Sequence, residues 1–517
     1  GRKVYYLYPN DNKIDTGMYC RSMVCKGYRP DGPFEVINWA DDTHNSTEGP
    51  LGFDPAVLIN DDGEVYAYWG SQWDGSYWAK LDKTNMYKPV SDSDIHRNLP
   101  VRGDTHSKNY WDENDVLHVE INPNFNPNEF NIVQDENMYK WGFFEASSIR
   151  KVGNKYVFVY SRNGIADEQY GAHYGQLAYG YSDSPEGPWK WGGILVDSFG
   201  EAIPKNDGSG NYDRTFSSSN THGSIIEVNG QWYVFYHRAD NMYARQAMVE
   251  GIDVEWDEKP VSEGGEVRIK QAEMTSKGFS INGLNPYRKY DAGITSYKIN
   301  VGLPVVYDSY ADFPVTGLKK DSIVGIKHFD LNQEAPKGKT TTLEVELLPK
   351  SGVGNIDVYM RPKSALNTPV ERDDDGNIIS VGEGSVKIGT INFTEDTPLA
   401  RMKVRIPASQ VDELNDEWGL FFAGVSESSA EMCDLYSVEF VADDTPLNEV
   451  VMKPLEAVYK RLGDVQYLTD QYTVSSTMSK QDQTNADLDG IPQIALHSTG
   501  RIVCKNEKLP KTEALRI

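Results

Sequence analysis

Residues 143–161 read FFEASSIRKVGNKYVFVYS: a carboxylate behind two phenylalanines, a turn glycine at 153, then alternating Tyr, Val and Phe. These residue types suit a pleated surface and a period of two turns one face inward, so the stretch predicts a β-strand entered from a glycine turn. The pattern recurs as Gly1-RKVYYLY, Gly63-EVYAYWG and Gly230-QWYVFYH, with spacings along the chain of 62, 90 and 77 residues. A second element, RPDGPFEVINW at 29–39 and SPEGPWKWGG at 184–193, sets Gly-Pro-aromatic behind an acidic residue, as a tight turn before a strand requires. Repeats of this length with several strands each, and almost no helical periodicity before residue 270, predict the blades of a β-propeller.

Beyond residue 270 the texture becomes a Thr/Val/Lys alternation: TTTLEVELL at 340–348, IDVYMRP at 356–362, VKIGTINF at 386–393, ARMKVRIP at 400–407 and WGLFFAGV at 418–425. Short strands parted by turns such as DDDGN at 373–377 predict a β-sandwich. The expected organisation is all-β: a propeller over 1–268, a sandwich of jelly-roll type over 269–443, and an unassigned segment over 444–517. NPYRKYDAGITSYKINVG at 285–302 reads as a Tyr-rich linker into the sandwich, and NEVVMKPLEAVYKRLGD at 448–464 as a helix.

Composition narrows the function. The 517 residues carry 51 Lys+Arg against 77 Asp+Glu, a net charge of −26 that repels phosphate backbones and argues against nucleic acid as a partner. No apolar run is long enough for a membrane span. Cys20, Cys25, Cys433 and Cys504 are scattered, form no CxxC pattern and read as free or buried thiols. The opening GRKVYYLYPN is no signal peptide and reads as the inside of a domain. Tyr and Trp make up 42 of the 59 aromatics, an excess that calls for an explanation.

Three segments of the first domain place a titratable residue some eight to eleven residues before a repeat strand: Asp54 in GFDPAVLINDDGEVYAYWG, Glu145 in FFEASSIRKVGNKYVFVYS and His222 in THGSIIEVNGQWYVFYH. Singly, an Asp before Pro is a turn former and a Glu behind Phe-Phe a half-buried carboxylate. Three equivalent offsets in three successive repeats say more, because strand starts converge on a propeller's axis and turn formation does not require acid, acid and His.

These segments resemble glycoside hydrolase family 43, five-bladed propellers that cleave arabinose- and xylose-containing glycans with inversion; the likeness covers roughly residues 1–268. It implies that Glu145 is the general acid, that Asp54 orients it and tunes its pKa, and that His222 lies near the axis and helps to hold a calcium ion through water. Arg245, in YARQAMV, falls where the family often has an arginine facing the substrate. A glycosidic oxygen leaves poorly unless protonated, and burial of Glu145 against Phe143, Phe144 and Trp141, with the Asp54 carboxylate nearby, disfavours its charged form. An inverting site also needs a carboxylate base roughly 6.5–9.5 Å from the acid. The family's base precedes the segment that holds Asp54; Asp15, Asp31 and Asp41 are upstream acids without its context, so none is assigned. Four repeats stand where the family has five blades, and the expectation is that the first blade, with the base, is missing from the sequence.

The second domain resembles family 6 carbohydrate-binding modules: IKQAEMTSKGFS at 269–280 and CDLYSVEFV at 433–441 would supply the calcium ligands Glu273 and Asp434. Trp418 is equally a sugar-stacking or a core residue. Trp69, Trp73, Trp78 and Trp141 are candidate pocket walls, since aromatic faces stack on sugar rings. The expected enzyme is an α-L-arabinofuranosidase or β-xylosidase, secreted or periplasmic, acting on plant cell-wall polysaccharide or oligosaccharide. A non-catalytic glycan-binding propeller and a β-galactan-directed relative are the alternatives.

Overall fold

The computed structural model describes residues 3–9, 23–44, 46–111, 117–164, 175–204, 212–216, 220–239, 245–276, 283–303, 314–332, 339–444 and 447–455. Four antiparallel sheets of three or four strands follow in order through the first domain, with two-stranded pairs between and after them. The second contains Ala56–Ile59, Val65–Ser71, Gly75–Leu81 and Ile95–Arg97; the third Phe143–Val152, Lys155–Arg162, Gln176–Ser182 and Lys190–Asp197. The fourth contains Gly223–Val228, Gln231–Ala239 and Arg245–Ile252. In each of these the repeat glycine forms the turn between the first and second strands. Gly63, Gly153 and Gly230 have φ of 78°, 57° and 84°, and Asn229 beside Gly230 has φ 54°, the paired positive values of a tight hairpin turn. In the first sheet, Tyr5–Leu7, Cys25–Gly27 and Phe34–Val36, the repeat strand is instead the edge. The Gly-Pro-aromatic turns match as well: Gly32 and Gly187 have φ of 81° and 80°.

Strand alternation gives each sheet two apolar faces, and the sheets stack through them. Val65, Ala67 and Trp69 face Val24 and Leu51 beside the first sheet, while Tyr66 and Tyr68 on the opposite face meet Phe143, Phe158 and Trp189 of the third sheet's region. Val157, Leu177 and Tyr179 then meet Ile225, Val234 and Met248 of the fourth. Tyrosine hydroxyls cross the seams: Tyr156 donates to Asn60 at 2.6 Å, Tyr66 to Glu186 at 3.2 Å and Tyr68 to the Pro185 carbonyl. The tyrosine excess is thereby explained, since one side chain supplies apolar area and a polar tip that closes a buried contact.

The sandwich has a sheet of Tyr290–Asp291, Cys433–Asp443, Thr340–Pro349, Met402–Pro407 and Val451–Pro454, with Val315–Leu318 also on Cys433–Asp443. The other sheet contains Thr295–Ile299, Ile323–Asp330, Glu417–Val425, Gly354–Pro362 and Val386–Phe393. Two expectations fail here. The stretch 285–302 is no linker, because it contributes a strand to each sheet. Residues 451–454 pair with Met402–Arg405 and form no helix: Val450 and Val451 are β-branched, and Pro454 has no N–H for a helix to use. The remainder of 456–517 lies outside the described residues. No helix among them is long and apolar enough to cross a membrane.

Between the two domains lies a seam of ion pairs. Lys327 and Glu250 pair at 2.6 Å with side-chain exposures of 1% and 0%. Arg361 pairs with Glu201, and Lys270 and Lys363 both reach Glu417 at 2.8 and 2.9 Å. Ile203 packs among Tyr297, Tyr359 and Phe421, which lie on the outer face of the sandwich's second sheet.

Candidate functional site

Each site residue stands where its sheet begins. Asp54 precedes Pro55 with φ 47°, and the neighbouring Phe53 carbonyl accepts the Gly70 N–H at 2.8 Å, which ties the segment to the next strand. Glu145 lies in a bulged strand start: pairing with Lys155–Arg162 slips on both sides of it, and Ala146 takes φ 61°. A bulge with a left-handed residue re-aims a side chain that regular pleating would place elsewhere. The Phe144 carbonyl before it accepts the Gln72 N–H at 2.6 Å, from the tip of the second sheet's hairpin. His222 opens the fourth sheet, held by its backbone N–H on His237 Nε2 at 3.2 Å and by the Thr221 hydroxyl on the His237 carbonyl at 2.6 Å. Gly223 follows because a Cβ there would meet the Phe235 carbonyl oxygen at 2.4 Å.

The three side chains come together. His222 Nε2 is 2.7 Å from Glu145 Oε1, and its Nδ1 is 4.0 Å from Asp54 Oδ2. One donor atom from each lies within 4.8 Å of the others, the one such grouping of three His, Cys, Asp or Glu side chains among the described residues. Exposures of 15%, 13% and 28% for Asp54, Glu145 and His222 leave the cluster largely buried yet still reached by solvent. Asn220, which the sequence reading missed, donates its amide to Glu145 Oε1 and lies 3.0 Å from His222 Nε2. In sequence it stands two residues before His222, in a polar SSSN run at 217–220 that has no repeat pattern to set it apart. Nitrogen groups thus hold Glu145 Oε1, and Asp54 lies across the same imidazole.

Other expected site residues lie elsewhere. Trp69 is 5% exposed and stacks on Tyr77 in the seam between the first and second sheets; Trp141 is 1% exposed and edge-on to Trp191. Both pack sheets together, so the substrate-binding role expected of them is withdrawn. Trp73 is 81% exposed at the hairpin tip whose Gln72 touches Phe144. Trp78 is half-buried and stacks on His96. Arg245 opens its strand opposite Ala239, and its side chain lies outside the described residues. Asp31 pairs with Arg29 and Asp41 caps Thr43, both exposed; Asp15 lies outside the described residues.

The calcium ligation expected of Glu273 and Asp434 is also corrected. Glu273 is 2.6 Å from His328 Nδ1 and accepts the His328 backbone N–H at 3.1 Å. Asp434 is 3.0 Å from Lys350 Nζ and accepts the Gly317 N–H at 2.9 Å. The His328 ring, the Lys350 ammonium and backbone N–H groups already hold the two carboxylates, and neither joins a grouping of three metal-ligating side chains among the described residues. Trp418 is half-buried against the sandwich core, its indole N–H on the Asn415 carbonyl at 2.7 Å. Cys25 and Cys433 are buried free thiols.

A model of the glycosyl hydrolases family 43 matches residues 1–260. A xylosidase/arabinosidase of Thermoclostridium stercorarium is 34% identical over 154 residues, 29% of this chain and 28% of that protein. A beta-xylosidase of Xylanibacter ruminicola is 26% identical over 240 residues, 46% of this chain and 61% of that protein. The chain therefore spans 28% and 61% of the length of these two relatives. Among solved structures, a family 43 arabinoxylan arabinofuranohydrolase of Bacillus subtilis aligns over 85% of this chain and 79% of its own, at 16% identity and a TM-score of 0.30.

Proposed function

We infer the function from the premise that this chain belongs to glycosyl hydrolase family 43, whose model covers its sheet-stacked first domain. The protein is a glycoside hydrolase of the α-L-arabinofuranosidase or β-xylosidase type, acting with inversion on arabinose- or xylose-containing plant cell-wall glycans outside the cytoplasm. The observation that carries the reading is the meeting of Asp54, Glu145 and His222, from the starts of three successive sheets, within 4.8 Å.

Glu145 is the general acid. Its Oε1 is held by Asn220 and His222, and its carboxyl protonates the glycosidic oxygen as the C–O bond breaks. Asp54, across the imidazole, orients that assembly and sets its local charge. The base that activates water has no assigned residue, and Arg245 would bind the sugar's hydroxyls. A calcium ion at the axis would be held through water by the His222 ring, which leaves the Glu145 carboxyl to carry its proton. Such an ion would balance charge at the axis, and no step here passes through it. Trp73, exposed at the rim, offers a face for a neighbouring sugar ring. The sandwich, read from its sequence as a family 6-like module, is assigned a bracing role, because Glu273 and Asp434 are already held by protein groups.

The test is Glu145→Gln, assayed by sugar release from arabinofuranosyl, xylosyl and galactosyl aryl glycosides and from unactivated oligosaccharides. The variant keeps the side chain's shape and loses the proton, so turnover of unactivated substrates falls by roughly 10²–10⁴-fold. Near-normal hydrolysis by the variant rejects Glu145 as the acid, and the preferred aryl glycoside identifies the sugar.

A further inference from the structure

We propose that Arg361, on the sandwich, is a positioning residue for the propeller's site, acting through Glu201, the paired strands Ala202–Pro204 and Tyr212–Arg214, and Phe216 on the placement of His222 against Glu145. The proposal rests on the reading of Glu145 as the acid.

Arg361 lies near the end of strand Gly354–Pro362, is 0% exposed, and its guanidinium lies 4.2 Å from the centre of the Phe421 ring. It donates to one oxygen of Glu201, and the Asn367 backbone N–H donates to the other at 3.1 Å. The Asn367 side-chain oxygen in turn accepts the Ala202 N–H at 2.8 Å. The sandwich thus grips two consecutive residues at the start of strand Ala202–Pro204.

The grip crosses this pair of strands. Thr215 donates its N–H to the Glu201 carbonyl at 3.1 Å while its hydroxyl accepts the Glu201 N–H at 3.0 Å. Phe216 donates its N–H to the Phe199 carbonyl at 3.1 Å, and its buried ring lies between the Lys298 ammonium of the sandwich at 5.4 Å and the Arg238 guanidinium at 5.3 Å. Four residues beyond Phe216 is Asn220, whose amide holds Glu145, and the Thr221 hydroxyl anchors the far end on the His237 carbonyl. Arg238 adjoins His237, whose carbonyl accepts the Thr221 hydroxyl and whose Nε2 accepts the His222 N–H, so a displacement at Phe216 reaches His222 through side-chain and backbone contacts. Misplacing a catalytic group by about 1 Å costs up to about 10²-fold in rate.

The experiment compares Arg361→Met and Asn367→Gly with Val358→Ala in the full chain, below their melting temperatures. Glycine retains the φ of 62° that Asn367 adopts and loses only the contact to Ala202. Val358 lies on the same strand as Arg361 but faces the sandwich core, so its variant supplies a loss of stability without touching that pair of strands. Expected are a fall of about tenfold or more in kcat with little change in KM for the two seam variants, and a shifted His222 imidazole resonance in both. Val358→Ala should lower Tm and leave both readouts in place. Lowered Tm with unchanged kcat and an unmoved His222 signal in the seam variants overturns the proposal. Should Arg361→Met fail to fold, Asn367→Gly decides alone. If Glu145→Gln is inactive while the seam variants keep full kcat, the positioning role alone falls; full activity in Glu145→Gln removes the acid assignment and this proposal with it.

Discussion

Replacing Lys327 by methionine tests how far the two domains form one unit. The change keeps the length of the side chain and removes a charge that lies 2.6 Å from Glu250, in surroundings where the two side chains are 1% and 0% exposed. At an effective dielectric of about 20, charges at that separation attract by about 6 kcal/mol, and desolvation of both groups offsets much of it. The variant takes the cation away from the Glu250 carboxylate, which keeps the Thr275 hydroxyl at 3.1 Å among its contacts. A stability loss of about 3–5 kcal/mol is expected, the usual cost of removing one partner from a buried pair. The double variant Glu250→Leu/Lys327→Met removes both charges and should recover most of that loss. Guanidinium chloride unfolding followed by tryptophan fluorescence measures both. A loss below about 1 kcal/mol for the single variant, or a double variant no better than the single, contradicts the view that stranded charge sets the cost.

Asp54→Asn should lower kcat by about 10²-fold on unactivated glycosides, with circular dichroism unchanged, if the carboxylate serves the acid and not the fold. Trp73→Ala should alter stability by less than about 0.5 kcal/mol yet raise KM for oligosaccharides, whereas Trp141→Ala should cost about 3–5 kcal/mol by emptying a packed seam. Denaturation curves and saturation kinetics on the pair settle whether exposed and buried tryptophans divide in this way. Burial alone would raise the Glu273 pKa, but the His328 imidazole, Lys327 and Ser296 outweigh it and hold the carboxyl well below its usual range. A carboxylate depressed by folding adds stability that is full above its unfolded value, near pH 4, and is lost as pH falls. Glu273→Gln should therefore flatten the dependence of Tm on pH below about 4, and a profile parallel to that of the unaltered chain refutes this.

Much of the fold could be read from residues because the propeller repeats itself. Gly63, Gly153 and Gly230 announce hairpin turns by composition alone, and the strands after them alternate cleanly. Asp54, Glu145 and His222 could be singled out for the same reason: their offsets to those glycines are alike. Asn220 could not, since its contact depends on where a loop without periodicity lands. Tryptophans misled because burial is a property of the stack: Trp69 and Trp73 are four residues apart, yet one closes a seam and the other stands in solvent. Glu273 and Asp434 misled because a strand-end carboxylate that holds a metal and one that holds a protein cation look alike in sequence. The strand at 451–454 was hidden by the lysines and leucines around it, which have helical propensity, and only a free edge at Met402–Pro407 decides for pairing.

The tyrosines that cross the seams give the stack an optical property. Burial pushes the hydroxyl of Tyr68 well above its ordinary pKa, and Tyr66 is pushed up to about 12 by burial and the neighbouring Glu186. Groups held neutral in this way contribute fully below pH about 10 and progressively less above it. Phenolate absorbance from these rings then rises later than that of the exposed tyrosines, so the late part of an alkaline titration reports on the contacts between neighbouring sheets.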